Sequence, residues 1–242
     1  MTKLFRNGLL ALTFVGGLLF AAVYCSNPRL KPPELAISGP VRSPAEVLTE
    51  SNLELFFKVI AAHPRHRVPE FQGGGKTPTA EASLPAEAMA KQLKAGFREQ
   101  FDSRRQAALW SQDSRWTKAF ASQQTTANDF AALVSIVSCA VMREQIDQLL
   151  QDPHELEAQA SKEIEEYVAQ IKALDGKTDR ASVRQRTAAS IQLSHATALQ
   201  VFAEMLAAVP EGNIALVRKY KDRLTPLLPG DFADRAAKFM AP

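Results

Sequence analysis

FAALVSIVSCAVM, residues 130–142, is the stretch on which the fold turns. It runs for 13 residues without a charge. A helix that crosses a bilayer needs about 20 apolar residues, so this run is too short to span one. A helix that is apolar on every side and does not span must be enclosed by other elements of its own chain. Asn128 or Asp129 stands just before it as a cap. The run is therefore read as the central helix of a bundle.

The helical period continues on both sides. Upstream, Met89, Leu93, Phe97, Phe101 and Ala108 keep to one face. Downstream, Asp152-Pro153-His154-Glu155 combines a cap, a first-turn proline and a capping-box glutamate. Leu156, Ala160, Ile164, Tyr167, Val168, Ile171 and Leu174 follow at helical spacing, and Gly176 ends the pattern. Asp179 opens another helix, with Val183, Ile191, Ala198, Leu199, Phe202 and Leu206 read as inward. Asn213 starts a shorter one through Ile214, Val217 and Leu224, and Asp231 caps a last one through Phe239. No segment alternates as a strand does. The fold class expected is all-α, a bundle of about five to seven helices.

The N-terminus reads as an address. Lys3 and Arg6 precede an uncharged stretch whose apolar heart, Leu9 to Cys25, is 17 residues long. A positive region followed by such a run is an export signal or a signal-anchor. Three readings compete: a retained membrane anchor through residues 7–25, cleavage near Cys25, or a lipoprotein with lipid on Cys25. All three put the bulk of the chain outside the cytoplasm, in the periplasm of a Gram-negative cell. The segment 1–26 is thus set apart from the body.

Prolines divide the chain beyond residue 26. Residues 27–44 hold five of them and make a semi-rigid spacer, the linker 27–43. Ser43-Pro44-Ala45-Glu46 looks like a helix start, and 44–63 is expected to be an isolated amphipathic helix. Pro64, Pro69, Pro78 and Gly73-Gly74-Gly75 make 64–84 a second, flexible linker. The helical domain proper is 85–242.

Composition narrows the chemistry. The net charge of +3 falls to +1 without Lys3 and Arg6, so no nucleic acid is expected as a partner. Two cysteines cannot build a disulfide scaffold or a Cys-rich zinc site. Gln72-Gly73-Gly74-Gly75-Lys76-Thr77 has Glu70 where a phosphate-binding loop needs its first glycine. His63 and His66 sit beside Arg65 and Arg67, which oppose a metal cation. No Gly-x-Ser-x-Gly elbow occurs, and Ser194 and His195 are adjacent, so they point apart on a helix. Glu163 and Glu166 share a face that reads as solvated and unperturbed. Cys139, inside the apolar run, reads as an inert buried thiol. No catalytic residue, cofactor or metal is expected.

A binding role remains. Residues 144–166 carry eight acidic groups against Lys162, and residues 91–118 are mostly basic, so acidic and basic helices are expected to neighbour one another. Trp110 and Trp116, interleaved with Arg104, Arg105, Arg115 and Lys118, form the candidate partner-binding patch. The function expected is a membrane-tethered, extracytoplasmic, non-catalytic interaction or adaptor domain with an unknown protein partner. One alternative is an inhibitor or immunity-type envelope protein; another is an enzyme with a site between helices near His195 and Tyr167. The retained-anchor reading expects the native chain to have the full-length mass of 26.5 kDa by intact mass spectrometry. Loss of the first 25 residues would mark cleavage instead, and an acyl adduct on Cys25 would mark lipidation.

Overall fold

A computed structural model describes residues 43–68, 84–148 and 152–228. The segment 7–25, Cys25, nearly all of the linker 27–43, residues 69–83 and the helix expected after Asp231 lie outside the described residues. Among the described residues the protein is all-helical and has no strand. The helices are α1 (Glu50–Ala62), α2 (Ala86–Gln100), α3 (Ser103–Trp110), α4 (Ser114–Ser122), α5 (Ala127–Gln148), α6 (Pro153–Ala173), α7 (Arg180–Ala207), α8 (Glu211–Lys219) and α9 (Lys221–Leu224). A 3-10 turn, Thr225–Leu227, closes the described chain.

Short polar side chains set the starts. Asp152 and Asp179 accept the N–H groups of His154 and Ser182, as their positions in the sequence suggest. Thr126, rather than Asn128 or Asp129, caps α5, because its Oγ1 reaches the N–H of Asp129 at 3.1 Å. Asp102 and Asp113 cap α3 and α4. The cap at Asp102 cuts the helical face expected from Met89 to Ala108 in two. The cut changes the buried face: Ala107 and Trp110 point inward, and Ala108 is only half-buried. Gly176, at φ +74°, lies in the turn between α6 and α7, a left-handed conformation that glycine adopts without penalty.

The helix expected at 44–63 begins later and does not stand apart. Ser43 to Glu46 closes into a turn, with the Ser43 N–H on Glu46 Oε1 at 3.3 Å and the Ala45 N–H on Ser43 Oγ at 3.2 Å. Thr49 and Asn52 then form the reciprocal capping box of α1. Leu53, Phe56, Phe57, Val59 and Ile60 are buried in the main core, so the isolated-helix reading is corrected. Five apolar side chains on 13 residues are too much surface to leave in water. Residues 64–68, read as the start of a flexible linker, also return to the body: Val68 is buried and its N–H donates to the Leu227 carbonyl at 2.8 Å.

Two hydrophobic clusters hold the bundle. One gathers α1, α3, α4, α8 and α9 around α5, which gives it eight residues between Phe130 and Ala140. The other joins α2, α6 and α7 through Met89, Leu93, Phe97, Ile171, Ala189, Leu193 and Val201. Met205 on α7 packs against both. The expected central role of 130–142 is thus seen in the packing.

Asn213 does not open a helix; Pro210 is the N-cap of α8. Asn213 is fully buried and clamps the chain before α1. Its Oδ1 accepts the Leu48 N–H at 2.7 Å, and its Nδ2 donates to the Glu46 carbonyl at 2.8 Å. Removing it leaves a buried donor without an acceptor. Asn213→Ala is expected to lower stability by about 2–3 kcal/mol in urea unfolding, given the two lost hydrogen bonds. Asn213→Asp, which keeps only the acceptor, should lie between Asn213→Ala and the parent.

Candidate functional site

The tryptophan patch expected from the sequence is split by the fold. Trp110 and Trp116 are 4% and 5% exposed and belong to the core. Their rings close around Phe130, at 6.1 and 5.8 Å between centroids, and Phe56 and Phe120 complete the shell at 6.1 and 5.5 Å. They are therefore corrected from surface anchors to core aromatics. The physical reason is the break at Asp113, which folds α4 back so that both indoles face α5. The cations of the patch are held nearby. Arg104 chelates Asp102 through Nε and Nη2 at 2.9 and 2.6 Å, and Arg115 holds Asp113 in the same way. Arg105 meets Glu99 at 3.0 Å, while Lys118 is exposed. The hydrogen bonds from Arg115 hold the Asp113 carboxyl down to about 2.

A basic and an acidic helix, α2 and α6, do lie side by side, but Lys94 and Arg98 turn to a carboxylate outside the acidic block 144–166. Lys94 and Arg98 on α2 converge on Glu204 of α7 at 2.5 and 2.8 Å. The basic stretch 218–223 is divided between α1 and α5. Lys219 meets Glu50 at 2.5 Å and Arg223 meets Glu54 at 3.0 Å, while Arg218 and Lys221 flank Glu144 at 3.6 and 3.8 Å. Glu144 is almost wholly buried and also accepts from Gln148. Two cations compensate a carboxylate that could not be buried alone. The adjoining pocket, lined by Val141, Val217, Leu224 and Leu228, measures about 30 Å³, room for a water but not for an organic substrate.

The α6–α7 hairpin holds a row of half-buried titratable groups. The Gln200–Ser161 hydrogen bond, at 2.9 Å, and the Arg186–Asp175 ion pair fix an antiparallel register. That register puts Tyr167 level with Ser194 and His195. Burial, with the charges of Glu163 and Glu166 behind it, pushes the Tyr167 hydroxyl up. Burial likewise raises the Glu163 carboxyl and lowers the His195 imidazole. Glu163 is therefore not the unperturbed surface carboxylate that its acidic neighbours suggested; α7 covers part of it. Among the described residues no group of three or more His, Cys, Asp or Glu side chains is placed to hold a metal ion.

The outer face of α7 is the surface that periodicity missed. Val183 and Ile191, expected inward, are 50% and 51% exposed. Thr187 lies between them at steps of four, and Arg180 and Arg184 are exposed on the adjoining turns. The reading failed because the packed face of α7 runs through Ala189, Leu193 and Ala196, and Ile191 points to the opposite side of the helix from Ala189 and Leu193. The deviation of Ile191 and Val183 from the packed face is visible only once Ala189 and Leu193 are known to be the inward pair.

Compared with known protein families, curated proteins and solved structures, the chain matches none. Among the described residues no single helix is long and apolar enough to cross a membrane. Cys139 is fully buried on α5, and burial pushes its thiol up to about 12. In the native protein it should therefore resist a thiol-specific reagent at pH 8 and react only as fast as the fold opens. Denaturant should make it react at once.

Proposed function

We propose that the chain is a membrane-tethered, extracytoplasmic helical module that binds another protein and carries out no chemistry of its own. The observation that carries this reading is the bare apolar line on α7. Val183 and Ile191 leave half of their surface in water although the helix has a packed face for such residues. Apolar side chains aligned on an exposed helix face are a favourable contact for a partner. Arg180 and Arg184 beside them suit a partner with an acidic rim around an apolar centre. The tether rests on Lys3, Arg6 and the apolar stretch 9–25.

The α7 surface replaces the tryptophan patch, whose indoles are occupied within the core. A partner docking on α7 would leave both hydrophobic clusters untouched. Helix–surface recognition of this kind places the anchors one and two turns apart, as Val183, Thr187 and Ile191 are.

The test is affinity capture of the tagged native chain after cell fractionation. The protein should sediment with membranes and retain a protein partner. Ile191→Asp should reduce that recovery by about tenfold or more, as expected for an interface anchor. Its thermal stability should stay within about 0.5 kcal/mol of the parent, since the site is exposed. A freely soluble native chain, or partner recovery unaffected by both Ile191→Asp and Val183→Asp, would remove this reading.

A further inference from the structure

His63 is the most deeply buried titratable ring among the described residues, at 1% exposure. It occupies the C-cap of α1 and lies flat on Trp116, 3.9 Å between centroids and 6° between planes. Its Nδ1 accepts the Arg65 N–H at 3.2 Å. In a neutral imidazole the proton then sits on Nε2. That nitrogen is buried and has no hydrogen-bond partner. The ring is thus enclosed in the one protonation state its surroundings tolerate.

A second proton would disturb it in two ways. It would convert Nδ1 from an acceptor into a donor aimed at another donor, the Arg65 N–H. It would also place a full charge on a buried ring whose Nε2–H has no acceptor. The charged groups facing the ring come from two elements. On α4 and its cap they are Asp113 and Arg115; on the strap beyond α1 they are Arg65 and His66. Of the charged groups Asp113 alone favours the added charge, beside the face of Trp116, and its two oxygens already receive the Arg115 guanidinium. Burial first, then Arg115, Arg65 and His66, oppose it, and the imidazole lies below its ordinary range.

We propose that His63 is an acid-sensitive latch, whose protonation releases the C-terminal half of α1 and the strap 63–68 from α4 and the core. The strap is the part with the fewest holds: the His66 N–H on the His63 carbonyl, His66 itself at φ +49°, and the single Val68–Leu227 hydrogen bond. The N-terminal half of α1 has independent anchors in Asn213, Lys219–Glu50 and Arg223–Glu54. The hydrogen bond and charge of Lys219 hold the Glu50 carboxyl below its ordinary range. Acid should therefore open one end of α1 and leave the other docked. This device does not depend on the binding role of α7.

Linkage gives the sign. Above the ordinary histidine value of 6.5, docked and released rings are both neutral and the latch is at full strength. Below it the released ring takes up a proton first, so release rises by about tenfold per pH unit until the docked ring titrates too. His195 is shifted the same way on α7, so a local probe is required. Hydrogen exchange of the full chain between pH 7.5 and 5, corrected for intrinsic rates, should accelerate in residues 56–68 and not in 46–54. Trp116 emission should change over the same range, because the ring stacked on it leaves when the latch opens. His63→Phe, which keeps the stack without a titrating nitrogen, and His63→Gln should both abolish the response; His195→Gln should retain it. A response that survives in His63→Phe or His63→Gln would overturn the proposal. So would a His63 ring that titrates at or above 6.5 by NMR in the folded protein.

Discussion

The α5 side of the molecule depends on the enclosure of the Phe130 ring. Four aromatic side chains from three other helices surround it: Phe56 from α1, Trp110 from α3, and Trp116 and Phe120 from α4. Aromatic rings in offset and tilted contact add about 0.5–1.5 kcal/mol per pair beyond their burial. The cluster therefore dictates where α1, α3 and α4 lie, and the caps at Asp102 and Asp113 stand at the bends that let them reach it. The ion pairs at the periphery are consistent with this hierarchy. Most are exposed on at least one side and add little to stability.

The helical class, the buried character of 130–142 and the starts at Asp152 and Asp179 were legible, because they depend on nearest neighbours in the chain. A cap reads the backbone two or three residues on, and a uniformly apolar helix can only be enclosed. The failures depended on tertiary position. Ser43-Pro44-Ala45-Glu46 has the composition of a helix start, but Asn213, far along the chain, pins residues 46–48 and delays the helix to Glu50. Trp110 and Trp116 make a candidate patch because arginines surround them in sequence, although tryptophan is ordinarily buried. Those arginines turn outward to carboxylates while the indoles turn in. Val183 and Ile191 have the right period for a core, but the face that packs on α2 and α6 is the one carrying Ala189 and Leu193. Glu144 gave no local hint of burial, since its compensating cations come from α8 and α9.

The electrostatic pattern supports a surface that is largely self-satisfied. Cations on α2 close on Glu204, those of 218–223 close on α1 and α5, and Arg104 and Arg115 close on the caps of their own helices. The exposed arginines at the start of α7 stand apart from this pattern. Apolar and basic character therefore coincide there on the described surface, which is why the binding proposal centres on α7 and not on the sequence blocks of like charge.

The clamp on Glu46 and Leu48 joins positions 167 and 165 residues apart, and the Lys219–Glu50 and Arg223–Glu54 pairs are each 169 apart. A ribosome adding roughly 5–20 residues per second takes about ten to thirty seconds to travel that distance. Throughout that interval Phe56, Phe57 and Ile60 have emerged while the far side of their seat does not yet exist. The nascent chain must therefore carry a sticky, unfinished helix at its leading end until nearly all of it has been made, a long delay in which holdase chaperones can act and premature association is the hazard. Closure of the bundle is a late, long-range event, set by α8 and α9, the last of the described helices to appear.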